Sequence, residues 1–232
     1  MAEPITLITG TSKGIGRFLT EYYVNKGHLV IGCSRSEAKF SLNNYHHFLT
    51  DVADEIKVKE MFSEIRRKFR KLDNLINNAG IASMNHFLLT PMSMVHNILN
   101  TNVAGTFLFC REAAKLMKRQ GRGRIVNFST VAVPLNLAGE AIYVASKAAV
   151  MSLTKVLAKE LAEYGLTVNA IGPTPVQTDL VRSLPKNKID SLIAQQAIAR
   201  MGTFEDIVNV IDFYLKEESE FITGQVLYLG GI

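Results

Sequence analysis

Short apolar runs alternate with amphipathic stretches along most of this chain. The apolar runs have the length and composition of buried strands and lie at residues 5–9, 28–33, 72–77, 124–129 and 166–171. Between them, apolar positions recur with helical periodicity, which predicts helices over residues 15–26, about 55–69, about 92–117 and about 141–164. The last helix is expected to end at Gly165, because glycine readily takes the left-handed conformation that closes many helices. Strands and helices in this alternation indicate a parallel sheet covered by helices on both faces.

The length and continuity of the pattern bear on domain organisation. A chain of 232 residues can bury the core of an α/β domain. No linker, low-complexity tract or internal repeat interrupts the alternation, so we expect a single domain over residues 1–232. The segment 40–48 is polar and irregular, and its pattern predicts no element.

Composition narrows the cellular setting. No run of about eighteen apolar residues suggests a membrane span, and the first residues, MAEPITLITG, lack the basic and apolar regions of a signal peptide. The two cysteines, Cys33 and Cys110, form neither a metal-ligand pattern nor a disulfide framework, and the five histidines show no metal spacing. We therefore expect a cytoplasmic protein that uses neither a membrane nor a metal ion.

The charge is moderately basic, with 26 Lys and Arg against 21 Asp and Glu and a net charge of +5. Much of the excess lies in two clusters, RRKFRK at 66–71 and KRQGRGR at 118–124. Charge runs are commonly solvated helix ends, which is the interpretation we favour. The alternative is a surface that docks an acidic partner such as a carrier protein. No recognition motif accompanies the charge, so a nucleic-acid partner is not expected.

The first predicted strand runs into TGTSKGIG, which contains Gly10, Gly14 and Gly16. A glycine-rich turn that opens a helix lets the backbone approach a pyrophosphate at the helix N-terminus. The spacing is G-x-x-x-G-x-G, which alone is moderately specific, but its position after the first strand favours a dinucleotide site over a turn without a ligand. The predicted fold class is therefore α/β, a single-domain Rossmann-like doubly wound parallel sheet.

Two basic residues bear on the choice of dinucleotide. Lys13 lies at a helix N-terminus, where a cation is unfavourable unless an anion offsets it. Arg35 follows the second strand, where an NAD enzyme carries an acid for the ribose 2′-hydroxyl, and its neighbours Ser34 and Ser36 are not acidic. A guanidinium there suits a 2′-phosphate. We predict NADPH/NADP in preference to NAD; the alternative is that both residues are ordinary surface charges.

Tyr143 and Lys147 are four residues apart on a predicted helix, so both side chains lie on one face. A phenol has a reference pKa of about 10, and a nearby ammonium favours the phenolate and lowers that pKa. Such a pair can donate a proton to a reduced carbonyl. On its own, however, Y-x-x-x-K occurs often by chance on helix surfaces.

The pair does not stand alone. The motifs TGTSKGIG, INNAG at 76–80, NVAG at 102–105, GRIVNFST and YVASK occur in the order and approximate spacing of the short-chain dehydrogenase/reductase family. The resemblance extends from Thr9 to the terminal ITGQVLYLGG, and its pattern is most similar to that of the NADPH-dependent 3-oxoacyl-[acyl-carrier-protein] reductases. It implies a cofactor site mainly in residues 1–110 and catalytic and substrate elements mainly in residues 102–200.

Carried onto this sequence, the resemblance implies a role for each matching residue. Tyr143 is the proton donor, Lys147 binds the nicotinamide ribose and tunes the tyrosine, and Asn102 holds a water behind the lysine. The cofactor would contact residues in six segments: Gly10, Ser12, Lys13, Gly14, Ile15 and Gly16; Ser34 and Arg35; Asp51 and Val52; Asn78, Ala79 and Gly80; Tyr143 and Lys147; and Pro173, Val176 and Thr178.

The sequence departs from the family pattern at two positions. Thr174 follows Pro173 where the family usually has glycine, which restricts the backbone near the nicotinamide. Thr130 stands thirteen residues before Tyr143, where the family has its catalytic serine. Because side chains alternate along a strand, the neighbouring Ser129 would point to the other side, so Thr130 is the candidate.

These features predict an NADPH-dependent ketoreductase acting on CH–OH/C=O, with a 3-oxoacyl thioester as the first substrate choice. Sugars, polyols and cyclic ketones are alternatives, and so is a non-catalytic NADP-binding sensor or scaffold. Residues 179–200 are expected to form a substrate flap. Its candidate contacts are Leu180, Val181, Leu184 and Ile193, with Gln177 and Asn136 as polar contacts. The resemblance also implies a homotetramer, or a dimer, assembled through the helices that contain Asn102 and Tyr143 and through the terminal strand.

Overall fold

The structure, a computed structural model, describes residues 3–178 and 186–232. Within these residues one sheet contains seven parallel strands in the order β3-β2-β1-β4-β5-β6-β7. The strands are β1 Ile5–Thr9, β2 Leu29–Ser34, β3 Tyr45–Leu49, β4 Asn74–Asn77, β5 Gly123–Phe128, β6 Leu166–Gly172 and β7 Val226–Tyr228. The doubly wound α/β fold predicted from the sequence is confirmed.

Helices cover both faces of this sheet. They are α1 Gly14–Asn25, α2 Glu55–Phe69, α3 Met92–Leu99, α4 Gly105–Met117, α5 Ala141–Glu160, α6 Lys186–Ile193 and α7 Phe204–Leu215. Local signals fix several ends: Asp54 accepts from the backbone of the first turn of α2, and Thr203 and Asp206 form a capping box on α7. Gly165 has a left-handed φ of 71°, but α5 itself ends at Glu160, and a short 3-10 helix, Ala162–Tyr164, separates the two.

Neighbouring residues of each central strand belong to opposite layers of the core. Leu7 of β1 joins a cluster with Phe62 of α2 and Phe109 of α4, whereas Ile8 joins a cluster with Leu19 and Ile211. All six side chains are fully buried. Each buried large apolar side chain contributes roughly 1.5–3 kcal/mol, so the two layers hold the helices against the sheet.

The predicted helix over residues 92–117 is wrong in one respect. The structure divides it into α3, a π-helical segment Asn100–Ala104, and α4. In the π segment the amide of Gly105 donates to the carbonyl of Asn100, five residues earlier. The wider turn rotates the following residues relative to a regular helix, and it lies in the part of the chain that contains Asn102.

Helix α5 is long and apolar enough, by length and composition alone, to cross a membrane, and it is the only such helix in the described part of the chain. Core helices of globular proteins pass the same test, so this is weak evidence for a span. One stripe of α5 is buried against the rest of the protein, and three of its members are polar: Ser146, Lys147 and Thr154.

The strand order fixes where a ligand site is expected. The order reverses at β1, which lies between β2 and β4, so the connections after β1 and β4 leave the sheet in opposite directions. Ligands of doubly wound sheets bind at the carboxyl ends of the strands beside such a reversal. The predicted cofactor and catalytic motifs follow β1, β2, β4, β5 and β6 at this edge.

Candidate active site

The glycine-rich turn follows β1 at the reversal of strand order. Gly10 and Gly14 have positive φ, 76° and 57°, and a Cβ on Gly16 would lie 2.1 Å from the carbonyl oxygen of Gly10. This packing requires glycine at position 16 and brings the start of α1 against the turn. No side chain caps the N-terminus of α1, so its backbone N–H groups are available to an anion.

The other predicted cofactor residues surround this turn. Ser34 is buried at the end of β2, whereas Arg35 and Lys13 are exposed. Asp51 accepts from the amide of Ala53 at 3.0 Å after β3, and Val52 is buried. Ser12 and Ile15 lie partly buried in the turn. The structure therefore brings the segments after β1, β2 and β3 to one edge of the sheet.

The segment Asn78, Ala79 and Gly80 crosses the carboxyl end of β1. Asn78 Nδ2 donates to the carbonyl of Thr9 at 2.8 Å, and the amide of Ala79 donates to Thr9 Oγ1 at 2.9 Å. Gly80 is exposed, and a Cβ there would lie 3.3 Å from both Asn102 Oδ1 and Lys147 Nζ. This places the catalytic candidates directly beside the cofactor segment.

Tyr143 and Lys147 lie on the first two turns of α5 and face the end of β5. Lys147 is 5% exposed, and its Nζ donates to the carbonyl of Phe128 at 2.8 Å. Tyr143 is partly buried and lies near the side chain of Thr130, whose hydroxyl acts to lower its pKa. Ser129 is also buried, but its hydroxyl has no hydrogen bond within the described residues. Of the two hydroxyls before α5, the structure thus places that of Thr130 against the tyrosine.

Asn102 reaches the site through the π segment. It is fully buried; its Oδ1 accepts from the amide of Ile81 and its Nδ2 donates to the carbonyl of Ile81, both at 2.9 Å. Nδ2 also donates to Ser146 Oγ at 3.0 Å, one residue before Lys147 in α5. Asn102 therefore ties the loop after Gly80 to the helix that carries the candidate pair.

Electrostatics in the site differ from the prediction that Lys147 lowers the pKa of the tyrosine. Burial, and then the negative charge of Glu140, raise the pKa of Tyr143 to about 12, against the opposing effect of the Thr130 hydroxyl. Burial lowers the pKa of Lys147 to about 8. Burial is the largest cause for both groups, and it disfavours the charged form of each, the phenolate and the ammonium.

The loop after β6 lies beside both Thr130 and the glycine-rich turn. The carbonyl of Pro173 accepts from the amide of Val131 at 3.2 Å, next to Thr130. Thr178 reaches the glycine-rich turn, since a Cβ on Gly14 would lie 3.6 Å from its methyl group. Val176 is buried and forms a bridge with Gly202. The predicted contacts of this loop are therefore near both the catalytic candidates and the pyrophosphate turn.

Thr174, the second departure from the family pattern, has a specific structural role. Its Oγ1 donates to Gln196 Oε1 at 2.8 Å, and both residues are 6% exposed. Two further backbone bonds, from Ala197 to Gly231 and from Ile198 to Gly230, hold the same segment to the end of the chain. The threonine thus anchors the segment that returns from the predicted substrate flap.

The predicted flap is only partly described. Leu180, Val181 and Leu184 lie outside the described residues, whereas Ile193 ends α6 and is partly buried. Gln177 and Asn136 are exposed, and Asn136 has a left-handed φ of 48°.

Glu140, which the sequence motifs did not single out, is the acidic residue closest in sequence to the candidate pair. It is 6% exposed and precedes α5 without a side-chain cap hydrogen bond. Burial raises its pKa, and its charge in turn raises the pKa of Tyr143. Its position three residues before the tyrosine was visible in the sequence, but its burial was not.

The two basic clusters lie away from this site. Arg66, from the first cluster, and Lys118 and Arg119, from the second, line an open groove of about 680 Å³ together with Lys59, Glu112 and Lys115. This groove runs toward the ends of α2 and α4 that precede β4 and β5, at the amino edge of the sheet. A partner docked there would face away from Tyr143. No group of His, Cys, Asp and Glu in the described residues is arranged to hold a metal ion.

Known proteins are similar to this chain in sequence and in fold. Residues 10–231 match the family model described as enoyl-(acyl carrier protein) reductase. The 3-oxoacyl-[acyl-carrier-protein] reductase of Escherichia coli is 31% identical over 233 residues, which cover 98% of this chain and 96% of that protein.

Solved structures agree with this match. ElxO with NADP bound has a TM-score of 0.90 and 32% identity, with 98% of this chain and 97% of that chain covered. A short chain dehydrogenase from Leptospira borgpetersenii with bound NAD⁺ has a TM-score of 0.90 and 27% identity, with 100% and 92% covered. The fold and the matches define an oxidoreductase acting on CH–OH or C=O groups. The chain belongs to the short-chain dehydrogenase/reductase family.

Proposed function

We propose that this protein is an NADPH-dependent ketoreductase, with a 3-oxoacyl thioester as its first substrate class. The observation that carries the proposal is the placement of Tyr143 and the buried Lys147 on α5 beside the Thr130 hydroxyl, at the edge of the sheet where a dinucleotide would bind. The similarity to a 3-oxoacyl-[acyl-carrier-protein] reductase over nearly the whole chain supports the thioester.

The residues present fit a bound dinucleotide. The turn at Gly10–Gly16 offers uncapped N–H groups for a pyrophosphate, and the exposed Gly80 leaves the surface beside Lys147 and Asn102 open to a ribose. Pro173, Val176 and Thr178 would lie along the nicotinamide, and Asp51 and Val52 along the adenine.

The bound nicotinamide supplies the hydride, and the protein manages the charge that develops on the substrate oxygen. Thr130 donates a hydrogen bond to the carbonyl oxygen, and Tyr143 gives that oxygen its phenol proton. A donor must still hold its proton when the reaction begins, and a pKa of about 12 keeps Tyr143 protonated at neutral pH. Lys147 would hold the nicotinamide ribose, and Asn102 a water that returns the proton.

The NADP preference is supported by the basic residues at the adenosine end of the site. Solved relatives bind either NADP or NAD⁺, so similarity alone does not decide between them. Ser34 ends β2 and Arg35 is exposed after it, which is where a 2′-phosphate is recognised in this fold.

Arg35→Asp should therefore weaken NADPH binding while sparing NADH, since a charge-assisted hydrogen bond is worth roughly 1.5–3 kcal/mol. Titrating both cofactors against the two proteins by intrinsic or cofactor fluorescence measures the effect. Lys39→Asp makes the same charge change at another exposed residue nearby and should leave the ratio unaltered. Equal dissociation constants for NADPH and NADH in the unmodified protein would refute the preference.

The substrate class is tested by following NADPH oxidation over a panel of ketones. The panel includes 3-oxoacyl thioesters on a carrier protein and on a small thiol, cyclic ketones and sugar-derived ketones. Each active substrate is repeated with Tyr143→Phe, which keeps the ring but removes the proton donor. We expect the thioesters to react fastest and the variant to lose roughly 10²- to 10⁴-fold in rate. Activity that survives in the variant would contradict the assigned role of Tyr143.

A second substrate class is favoured by Glu140. A buried carboxyl group near Tyr143 would accept a hydrogen bond from a hydroxyl next to the reacting carbon, as in a sugar or polyol. Glu140→Leu should then reduce turnover of hydroxylated ketones more than turnover of thioesters. Equal losses on both would remove this candidate.

A further inference from the structure

A chain of hydrogen bonds joins the glycine-rich turn to the turn after β2. Thr11 Oγ1 lies 2.8 Å from Tyr45 Oη, and Tyr45 Oη lies 2.7 Å from His47 Nδ1. His47 Nε2 then lies 3.1 Å from the carbonyl oxygen of Ser36 and 3.3 Å from Ser34 Oγ. Both ends of this hydrogen-bond chain lie in segments that we assign to the cofactor, whereas its middle members, Tyr45 and His47, belong to β3.

The Ser36 carbonyl determines which group donates in each hydrogen bond of this series. The carbonyl of Ser36 can only accept, and Ser34 Oγ already donates to it at 2.7 Å, so His47 Nε2 carries a proton. In the neutral imidazole Nδ1 is then an acceptor for the phenol of Tyr45. Burial raises the pKa of Tyr45 to about 12, so the phenol keeps the proton that it donates. Thr11 in turn donates to Tyr45.

The packing around the chain holds its middle in place. A Cβ on Gly32 would lie 2.4 Å from Tyr45 Oη, so the absence of a side chain in β2 lets the phenol reach Thr11. Tyr45 also stacks on Phe40, with ring centroids 5.3 Å apart, and the Arg17 guanidinium lies over Phe40. The strand register pairs Gly32 with His47 and Ser34 with Leu49, which brings the imidazole to the end of β2.

From this geometry we infer that His47 is a positioning residue for cofactor selectivity: it fixes the Ser34–Ser36 turn, and with it Arg35, at a set distance from the glycine-rich turn. The inference rests on the proposed preference for NADP. A 2′-phosphate is bound by groups from the Ser34–Ser36 turn, whereas the pyrophosphate is bound by the glycine-rich turn. Pre-forming the first of these lowers the cost of ordering it when the cofactor binds.

The test compares ligands that differ by the 2′-phosphate. Calorimetric titrations of the unmodified protein and of His47→Phe use two ligand pairs. One pair is adenosine 2′,5′-bisphosphate and adenosine 5′-monophosphate, and the other is NADPH and NADH. The variant keeps an aromatic ring but loses the hydrogen bonds of both ring nitrogens. We expect about threefold to tenfold weaker binding of the two 2′-phosphorylated ligands, as for one or two lost hydrogen bonds, and less than about twofold change for the others. His47→Gln, which can still donate to Ser36, should recover part of the loss.

The neighbouring His46 provides a matched control. It lies on the other face of β3, beside Lys68 and Phe69, so His46→Phe should change neither ligand pair. Tyr45→Phe removes the link to Thr11 and should shift selectivity in the same direction as His47→Phe. Equal weakening of both members of each pair, or unchanged binding in folded His47→Phe and Tyr45→Phe, would overturn the inference. If the unmodified protein shows no preference for the 2′-phosphate, the proposed NADP preference fails instead.

Discussion

At the scale of the residue, Thr130 shows that a methyl group can be added beside the candidate catalytic tyrosine while the hydroxyl stays near it. Branching at Cβ restricts χ1 of threonine to fewer rotamers, and one of these could have turned the methyl toward the substrate. In the structure the hydroxyl lies near Tyr143, acts to lower its pKa, and accepts from the amide of Ala132 at 3.2 Å. The bond from Ala132 holds the side chain in this rotamer.

The Thr130 hydroxyl can be tested with two substitutions. Thr130→Val is nearly isosteric but lacks the donor, and loss of one donor to a developing oxyanion costs roughly 2.7–4 kcal/mol of transition-state stabilisation. We expect turnover of the best substrate to fall by about two to three orders of magnitude on that scale, with unchanged NADPH affinity. Thr130→Ser should remain active. A valine variant with the unmodified rate would show that another group polarises the carbonyl.

The lowered pKa of Lys147 predicts a pH dependence of cofactor binding. The ammonium form dominates below pH about 8 in the free protein, and the neutral amine dominates above it. If Lys147 binds the ribose as a cation, the dissociation constant of NADPH should rise as the pH increases above that value. The loss is about tenfold or more, the equivalent of one charge-assisted hydrogen bond.

Measuring NADPH affinity from pH 6 to 10 in steps checks this dependence, a range chosen to span roughly two units on either side of the lysine transition. Lys147→Met should bind weakly at every pH and show no step at that position. Lys155→Met removes an exposed lysine of the same helix and should retain the step. A step that persists in Lys147→Met would assign it to another group.

At the scale of the element, the strongly patterned segments were predicted well and the functional irregularities were not. The bounds of α2 match the prediction of 55–69, because its apolar stripe is regular and Asp54 marks its start. The π segment at Asn100–Ala104 was missed because one wide turn leaves the apolar spacing on either side almost unchanged. The irregularity nevertheless lies in the segment that contains Asn102, one of the proposed site residues.

Strand β3 was missed for a different reason. Its sequence, YHHFL, is polar, and four of its five residues are only partly buried because the strand forms an edge of the sheet. Edge strands lack the continuous apolar run that identifies buried parallel strands. The side chains that obscure the pattern, Tyr45 and His47, are the ones that contact Thr11 and Ser36, in the segments proposed to bind the cofactor.

The pairing of Thr174 with Gln196 could not be predicted from the sequence, because only the tertiary structure brings these two residues together.

The Thr174–Gln196 hydrogen bond should hold the base of the flap. Thr174→Val keeps the packing of the methyl group against Gly202 but removes the donor, leaving a buried amide oxygen unpaired. The free energy of unfolding should fall by roughly 1–3 kcal/mol. The KM for the ketone should also rise, because the flap is less well anchored. Thr174→Ser keeps the hydroxyl and serves as the control; thermal unfolding and steady-state kinetics of both variants give the comparison. A valine variant as stable as the serine variant would contradict this role.

At the scale of the whole molecule, the site is assembled from segments that are far apart in the sequence. Residues 9–16, 34–36, 78–80, 128–147 and 173–178 meet at one edge because five parallel strands end there. A single short motif was therefore weak evidence, whereas the ordered series of motifs was strong. Away from this edge, Asp212 of α7 joins α7 to the end of α1. Its carboxylate accepts hydrogen bonds from Tyr22, Tyr23 and Lys26 at 2.6–3.0 Å.

The surface of α4 and α5 leads to the prediction for assembly. Phe107 on α4 is 44% exposed and Val156 on α5 is 48% exposed, on the two helices through which we expect a homotetramer to form. Exposed apolar patches are typical of protein–protein contacts, and each of these side chains would be covered if the two helices pair with a second copy. Replacing both residues by Asp would bury charge without a partner, which should dissociate the assembly into dimers or monomers at micromolar concentration. Sedimentation velocity measures the change.

Ile56, 71% exposed on α2, gives a control, since Ile56→Asp makes the same kind of substitution outside these helices and should leave the assembly intact. If the unmodified protein sediments only as a monomer, the prediction is wrong and the exposed apolar residues of α4 and α5 need another explanation.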